Sequence, residues 1–290
     1  MSLSVGESMV KFGVDWAVNV EETMLPSGGS GPWCTVREDT GQYLGVVSKK
    51  YPVLQNEELF ALAYEFSDEV TVENVLVKGQ GQRVALLLKA NSFVLQDNDQ
   101  TWNYLYLYNG HDGKCCLGFT CTNVRMSCNN QHNMVVSNKK PQAKKIIHNP
   151  GNWGANLVAF SNALSVFKAQ SRDFETFAEA AVSKSMNREE VHRFYEAAYD
   201  VLHGKPETSE DHQKYWDYHV QCTYVLDRDI NERGFGRNLW TVANSVTDVI
   251  QNQTNRRGRK HSAGNLQWDK AFGSRLNQSH KVMHLAASLV

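Results

Sequence analysis

The sequence predicts an α+β fold, with a largely antiparallel sheet in the N-terminal half and helices in the C-terminal half. Three observations carry that expectation. Before about residue 150, strand-like runs come in pairs joined by Gly-bearing turns; beyond it, apolar residues recur at helical spacing; and Asn149-Pro150-Gly151-Asn152 breaks structure between the two regimes. The boundaries that follow are a β-rich region with one early helix at 1–150 and a mainly helical region at 151–290, packed on the sheet as one unit.

Each element has a local reason. The runs 33–38 and 43–48 flank Asp39-Thr40-Gly41-Gln42, a polar turn that signals a hairpin. A helix follows at about Asn56, with Asn56 as cap, Leu54 as hydrophobic staple, and Leu59, Leu62, Ala63 and Phe66 on one apolar face. Runs 70–77 and 82–90 are joined by Gly79-Gln80-Gly81, and runs 101–109 and 114–128 by Gly110-His111-Asp112-Gly113. About six strands in hairpins make an antiparallel sheet. In the second half, Leu157, Phe160, Leu164 and Phe167 mark the first helix. Asn187 to Glu190 fits a capping box before a helix that Gly204 and Pro206 stop after His203. Leu239, Val242, Val246 and Val249 mark an amphipathic helix, and Val282, Leu285 and Leu289 the last one. The polar, basic segment 252–264 reads as an exposed loop.

A length of 290 residues and 41% hydrophobic content support a buried core. No run approaches the ~18 apolar residues of a membrane span, and the N-terminus lacks the basic-then-apolar order of a signal peptide, so a cytosolic protein without membrane contact is expected. The six cysteines form no small-domain disulfide framework, which makes reduced thiols the expectation.

Net charge is −1, yet charge is sorted along the chain. Residues 113–172 hold eight Lys or Arg and no Asp or Glu; residues 251–290 hold seven basic residues and one acidic. Residues 1–112 carry 7 basic against 15 acidic, and residues 173–250 carry 8 against 15. Two basic blocks separated by acidic ones create a local field for a polyanion that the overall charge conceals.

Lys139, Lys140, Lys144 and Lys145 in the first block, and Arg256, Arg257, Arg259 and Lys260 in the second, are positioned to neutralise phosphates, the contacts that dominate nucleic-acid affinity. Arg125 lies in a strand pattern, where an inward guanidinium needs an anion or an ion-pair partner. Alternation places Trp102, Tyr104, Tyr106 and Tyr108 on one strand face. That row serves either as a stacking platform for bases or as an ordinary packed sheet face. Cys115, Cys116, Cys121, Cys128 and His132 are zinc-type ligands by chemistry, but they lack C-x-x-C spacing, and the small-hydrophobe reading is preferred; no metal is expected. Asp99 with Asp112 and Lys114 makes a D…D-x-K arrangement suited to a Mg²⁺-dependent nuclease, while Asp112-Gly113 is equally what a hairpin turn requires. No Gly-rich phosphate loop, H-E-x-x-H or G-x-S-x-G occurs, so those enzyme classes have no motif here.

Three motifs carry a resemblance: Asp39-Thr40-Gly41 with Leu44-Gly45-Val46-Val47-Ser48, Tyr51 and Gln55-Asn56-Glu57; Val124-Arg125-Met126-Ser127-Cys128-Asn129-Asn130; and Trp240-Thr241-Val242-Ala243-Asn244-Ser245-Val246-Thr247. Together they resemble the phage/plasmid-like proteins of domain of unknown function family 932. Gln131 stands where that family usually has Thr, and 249–252 replaces a more aromatic and charged run. The resemblance implies a phage, prophage or plasmid gene acting in a bacterial cytoplasm, and it supplies no activity. A further analogy, at fold level, is to phage single-strand annealing proteins of the RecT, Red-beta and Erf type. The resulting expectation is a non-enzymatic, cofactor-free protein that binds single-stranded DNA without sequence preference and anneals strands, working as a homo-oligomer. Its phosphate contacts are the eight basic residues above, with Arg125 deeper in the groove and Tyr104, Tyr106 and Tyr108 stacking on bases. The alternatives are the Asp99/Asp112/Lys114 nuclease and a protein that docks on an acidic host partner.

Overall fold

The computed structural model describes residues 3–95, 99–115, 117–125, 130–132, 144–145, 153–252 and 274–290. It is α+β, with antiparallel sheets built from the N-terminal strands and helices filling the C-terminal half. Among the described residues no helix is long and apolar enough to cross a membrane.

Two elements precede the first predicted hairpin. Helix α1 (Val5–Phe12) is capped by Ser4 in a reciprocal box with Glu7 and ends at Gly13, whose φ of 67° is cheap only for glycine. Strand β1 (Val18–Met24) then pairs with β2 (Ser30–Arg37), and β2 with β3 (Tyr43–Val46), giving a three-stranded antiparallel sheet in which β2–β3 is the expected hairpin. Helix α2 (Asn56–Tyr64) starts where expected, but its cap is Gln55, whose backbone N–H donates to the Glu58 carboxylate at 2.8 Å. Asn56 is needed elsewhere. Its buried amide donates to the carbonyls of Val14 and Trp16 at 3.0 and 3.3 Å, and its oxygen meets His111 Nε2 at 3.1 Å.

The second sheet comprises β4 (Thr71–Lys78), β5 (Arg83–Leu95), β6 (Asp99–Gly110), β7 (Gly118–Arg125) and β8 (Asn130–His132) in that order, with β9 (Lys144–Lys145) also on β7. All pairings are antiparallel. Strand β7 starts at Gly118 rather than at 114, because Asp112 Oδ1 accepts the Lys114 N–H at 2.9 Å and holds a turn there. Residues Leu105 and Leu107 of β6 point with Val84, Leu86 and Leu88 into a core that also holds Phe60, Leu164 and Phe167. The register shifts between Lys89 and Ser92, where β5 gains one residue over β6. That bulge re-aims the strand end, so that Phe93 and Leu95 join a second core with Phe174 and Trp240.

Among the described residues five helices follow: α3 (Trp153–Ser183), α4 (Arg188–His203), α5 (Ser209–Arg233), α6 (Leu239–Asn252) and α7 (Ser274–Ala287). Asn187 caps α4 with Glu190 as the sequence predicts. Helix α3 spans both cores, giving Phe160, Leu164 and Phe167 to the sheet-side core and Phe174, Phe177, Ala178 and Ala181 to the helical one. Phe174 stacks 5.6 Å from both Phe93 and Trp240, so β5, α3 and α6 meet through three rings. Helix α5 has no counterpart in the sequence reading.

The two sheets are joined by a polar knot. Thr35 on β2 donates its hydroxyl to the His111 carbonyl at 2.6 Å, and Gly45 on β3 lies against the backbone of Asp112. A Cβ at Gly45 would come within 2.6 Å of the Asp112 carbonyl oxygen. Neither backbone can move without breaking that knot. Gly45→Ala is therefore expected to destabilise by about 1 to 3 kcal/mol, the usual cost of overpacking, read as a lower urea midpoint at unchanged m-value; an unaltered midpoint would show that the two sheets are free to separate.

Candidate functional site

Helix α6 is buried on every side. Leu239, Trp240, Val242, Ala243, Val246, Val249 and Ile250 are enclosed, and so are Thr241, Asn244, Ser245, Thr247, Asp248 and Gln251. The apolar spacing predicts an amphipathic helix whose polar face meets water. The structure corrects that expectation, because α3, α4, α5, α7 and β8 all pack against α6. Its polar groups must therefore be matched inside the protein.

Most of them are. Asn238 Oδ1 accepts from the Thr241 N–H and hydroxyl at 2.9 and 3.1 Å, capping the helix. Ser245 shares a 2.8 Å hydrogen bond with the Tyr195 hydroxyl on α4. Asp248 receives Arg228 Nη2 from α5 at 2.9 Å, and that guanidinium also binds the buried Asp229. Burial works against the charge on Arg228, but the two carboxylates outweigh it and raise its pKa. Gln251 donates to Ser279 on α7 at 2.9 Å, and Arg275 Nη1 donates to the Gln251 carbonyl at 2.6 Å, satisfying an orphan acceptor at the helix C-terminus.

Others are not. Asn244 Oδ1 and Gln251 Oε1 on α6, both ring nitrogens of His280 on α7, Ser171 Oγ on α3 and Thr101 Oγ1 on β6 are buried and have no hydrogen-bond partner. Buried polar atoms are nearly always paired, and leaving one unpaired costs about 1 to 3 kcal/mol, so such a group calls for an explanation. Asn244 and Gln251 are seven residues apart, two turns, and so lie on one face of α6. Helix α6 packs on α3, α7 and β8, and α7 packs on α3 and β8. The unpartnered atoms of α3, α6 and α7 thus sit on helices that pack on one another, α6 and α7 also meeting β8 to form a polar seam at the far end of the second sheet, and Thr101 lies two strands from β8 in the same ladder. His280 is held neutral: burial, then the neighbouring His284, pushes its pKa down to about 4. A neutral imidazole, two amide oxygens and two hydroxyls can hydrogen-bond an uncharged polar group.

The sequence-predicted residues fall into three groups. The first is misplaced for its role: Tyr104, Tyr106 and Tyr108 are only 6%, 0% and 9% exposed, packed with Leu76, Ala85 and Leu87. Base stacking needs an open ring face, so the packed-face reading replaces the platform. The Tyr104 hydroxyl is pushed up to about 12 by burial and by Glu73. The second group lies on β7 and β9, at opposite ends of β7 by backbone register, with Arg125 at the seam end and Lys144 and Lys145 at the other. Arg125 stands opposite Thr101 on β6 and Asn130 on β8, and Lys144 and Lys145 stand opposite Phe119 and Gly118. The third group, Lys139, Lys140, Arg256, Arg257, Arg259 and Lys260, lies outside the described residues.

The nuclease arrangement does not assemble. Asp99 and Asp112 flank opposite ends of the twelve-residue β6, which at ~3.3 Å per residue separates them by roughly 35 Å. Asp112 is also occupied, since its second oxygen accepts from Arg83 Nε at 3.0 Å. Of the cysteines raised as metal ligands, Cys115 is half-buried, Cys121 lies in β7, and Cys116 and Cys128 lie outside the described residues; His132 is in β8. Sequence reasoning missed Thr101, Ser171, Asn244, Gln251 and His280. The available signal was the polar spacing 241, 244, 248, 251 within α6, which a surface helix would share.

The family described as domain of unknown function (DUF932) matches residues 43–272, from β3 to just before α7. No curated protein and no solved structure matches significantly. The second and third sequence motifs, Val124 to Asn130 and Trp240 to Thr247, end on β8 and α6, which pack together.

The neutral His280 has a pH consequence. Its folded pKa, about 4, lies below the ordinary 6.5, so as pH falls the unfolded chain takes up the proton first. Stability is lost from about pH 6.5 down to about pH 4 and then levels off, amounting to about 2 kcal/mol between pH 7 and 5. His280→Gln removes this contribution, so its urea-derived stability should fall by about 2 kcal/mol less than wild type over that interval. Equal losses in the two proteins would mean that His280 is charged when folded.

Proposed function

The chain belongs to the DUF932 family, and we propose that it binds single-stranded DNA without sequence preference and promotes strand annealing in phage or plasmid recombination, within a bacterial cytoplasm. The observation that carries this reading is the meeting of two basic segments remote in sequence. Strands β7, β8 and β9 belong to the acid-free stretch 113–172, helix α7 belongs to the basic stretch 251–290, and β8 packs against α7. That contact brings an element of each basic stretch together, which supports a site for a polyanion.

In this reading Lys139, Lys140, Lys144, Lys145, Arg256, Arg257, Arg259 and Lys260 contact phosphates, and Arg125 sits deeper, at the sheet end beside the seam. Phosphate contacts hold a strand without reading it, which accounts for the absence of sequence preference. With the tyrosine row packed away, affinity rests on charge rather than stacking.

Contact with about four to six phosphates gives a slope of log affinity against log salt of roughly −3 to −4 for single strands. Reversing charge in each block, Lys144→Glu with Lys145→Glu and Arg256→Glu with Arg257→Glu, is expected to weaken binding and flatten that slope, and all four together to nearly abolish binding, with stability changed by less than about 0.5 kcal/mol. Unchanged binding in the fourfold variant, or duplex bound as tightly as single strands, would remove the reading.

A further inference from the structure

Helix α5 carries two apolar stripes. Tyr218, Cys222, Val225 and Leu226 face the helical core, whereas Trp216, Val220 and Tyr224 recur at i, i+4 and i+8 on the outside, 57%, 62% and 70% exposed. Two exposed aromatics aligned with a valine make a contiguous outward patch, the kind of surface that marks an interface. Its rim is acidic, with exposed Asp227 and half-exposed Asp217 beside the stripe.

The complementary surface is on α3. Over 154–172 this helix contains no Asp or Glu. Its outward positions are Gly154, Ala155, Val158, Ser161, Ser165, Ala169 and Arg172, all exposed, with Lys168 close by reaching Glu69 at 2.6 Å. These side chains are mostly small, and with Lys168 paired to Glu69 the remaining charge over this stretch is the positive one of Arg172. A helix of small residues is a groove into which the bulky ridge of another fits, and the charges at the two rims have opposite sign.

We propose that the α5 stripe of one copy docks into the α3 face of a second copy, a head-to-tail contact that builds assemblies larger than a dimer. A symmetric α5-to-α5 contact would bring two acidic rims together, which like-charge repulsion disfavours. The contact between two different surfaces has an open α3 at one end and an open α5 at the other, so it propagates to a ring or a filament. This inference stands apart from the proposed DNA binding and is tested without DNA.

The full chain is examined by sedimentation velocity up to about 100 µM, a range that captures micromolar association, at low and high salt. Wild type is expected to form species beyond the dimer, weakened by salt. Trp216→Ser with Tyr224→Ser, and separately Ser165→Glu with Ala169→Glu, should each raise the dissociation constant about thirtyfold or more, since central aromatic contacts dominate interface energy. Unchanged urea midpoints in both variants verify that each folds. Mixing the two variants restores one intact interface and should give a 1:1 complex that grows no further. A wild type that stays monomeric, an α3 variant that still assembles normally, or mixed variants that fail to pair would each overturn the proposal.

Discussion

The complete enclosure of α6 is the constraint on which the rest of this structure depends. A helix with Thr241, Asn244, Thr247, Asp248 and Gln251 among its buried residues is stable only if its neighbours supply partners, because a polar group in a low-dielectric interior is costly when unpaired. Each neighbour is tied to it in turn: α4 through Tyr195, α5 through Arg228, α7 through Ser279 and Arg275. The sheet reaches the same helix through β8 and through the bulge in β5, which turns Phe93 towards Phe174, itself against Trp240. Long α3 then makes the two cores continuous, since a single rigid element contributes side chains to both.

How much of this was legible in the sequence depended on whether one face of an element met water. Strands β4 to β6 and helix α4 show clean periodicity or a clean cap, and they form within a few residues of expectation. Helix α5 was invisible because it is apolar on two faces, one for the core and one outward, so no single stripe stands out. Helix α6 was visible as an element but not as the centre, since Leu239, Val242, Val246 and Val249 give the same pattern whether the opposite face meets water or protein. The one-residue displacement of the α2 cap has a tertiary cause: the Asn56 amide is consumed by Val14, Trp16 and His111, contacts at 40 residues or more along the chain. Alternation did place the tyrosines of β6 on one face, yet alternation alone does not say which face a sheet covers.

The seam and the basic blocks have different chemistry, and that difference is informative. Long-range attraction of a polyanion is a property of Lys and Arg at the surface, and it decays within about 8 to 10 Å at ordinary salt. The seam's own unpaired groups are uncharged, and His280 is neutral because a charged imidazole is not sustained at that depth. In the proposed reading, capture and close contact would fall to separate residue types, with Arg125 standing in the ladder opposite Thr101. The two family motifs that end on β8 and α6 fall on the close-contact side of that division.

Charge sorting also decides how the two proposed surfaces coexist on one chain. The acidic region 173–250 contains α4, α5 and α6, so a nucleic-acid strand held at the basic site is repelled from the outward face of α5. An α5 face that disfavours the strand remains available to a protein. The α3 face that would receive it carries Arg172 and Lys168, while Lys139 to Lys145 and Arg256 to Lys260 lie elsewhere in the sequence. Assembly and strand binding then draw on different basic residues, and subunits joined head to tail would repeat the basic site at regular intervals, so that one strand could contact several copies at once. Such repetition converts modest single-site contacts into strong overall binding, because each further contact on a tethered strand is made at high effective concentration. A net charge near zero is compatible with this only because the charges are segregated; the same residues intermixed would give neither surface.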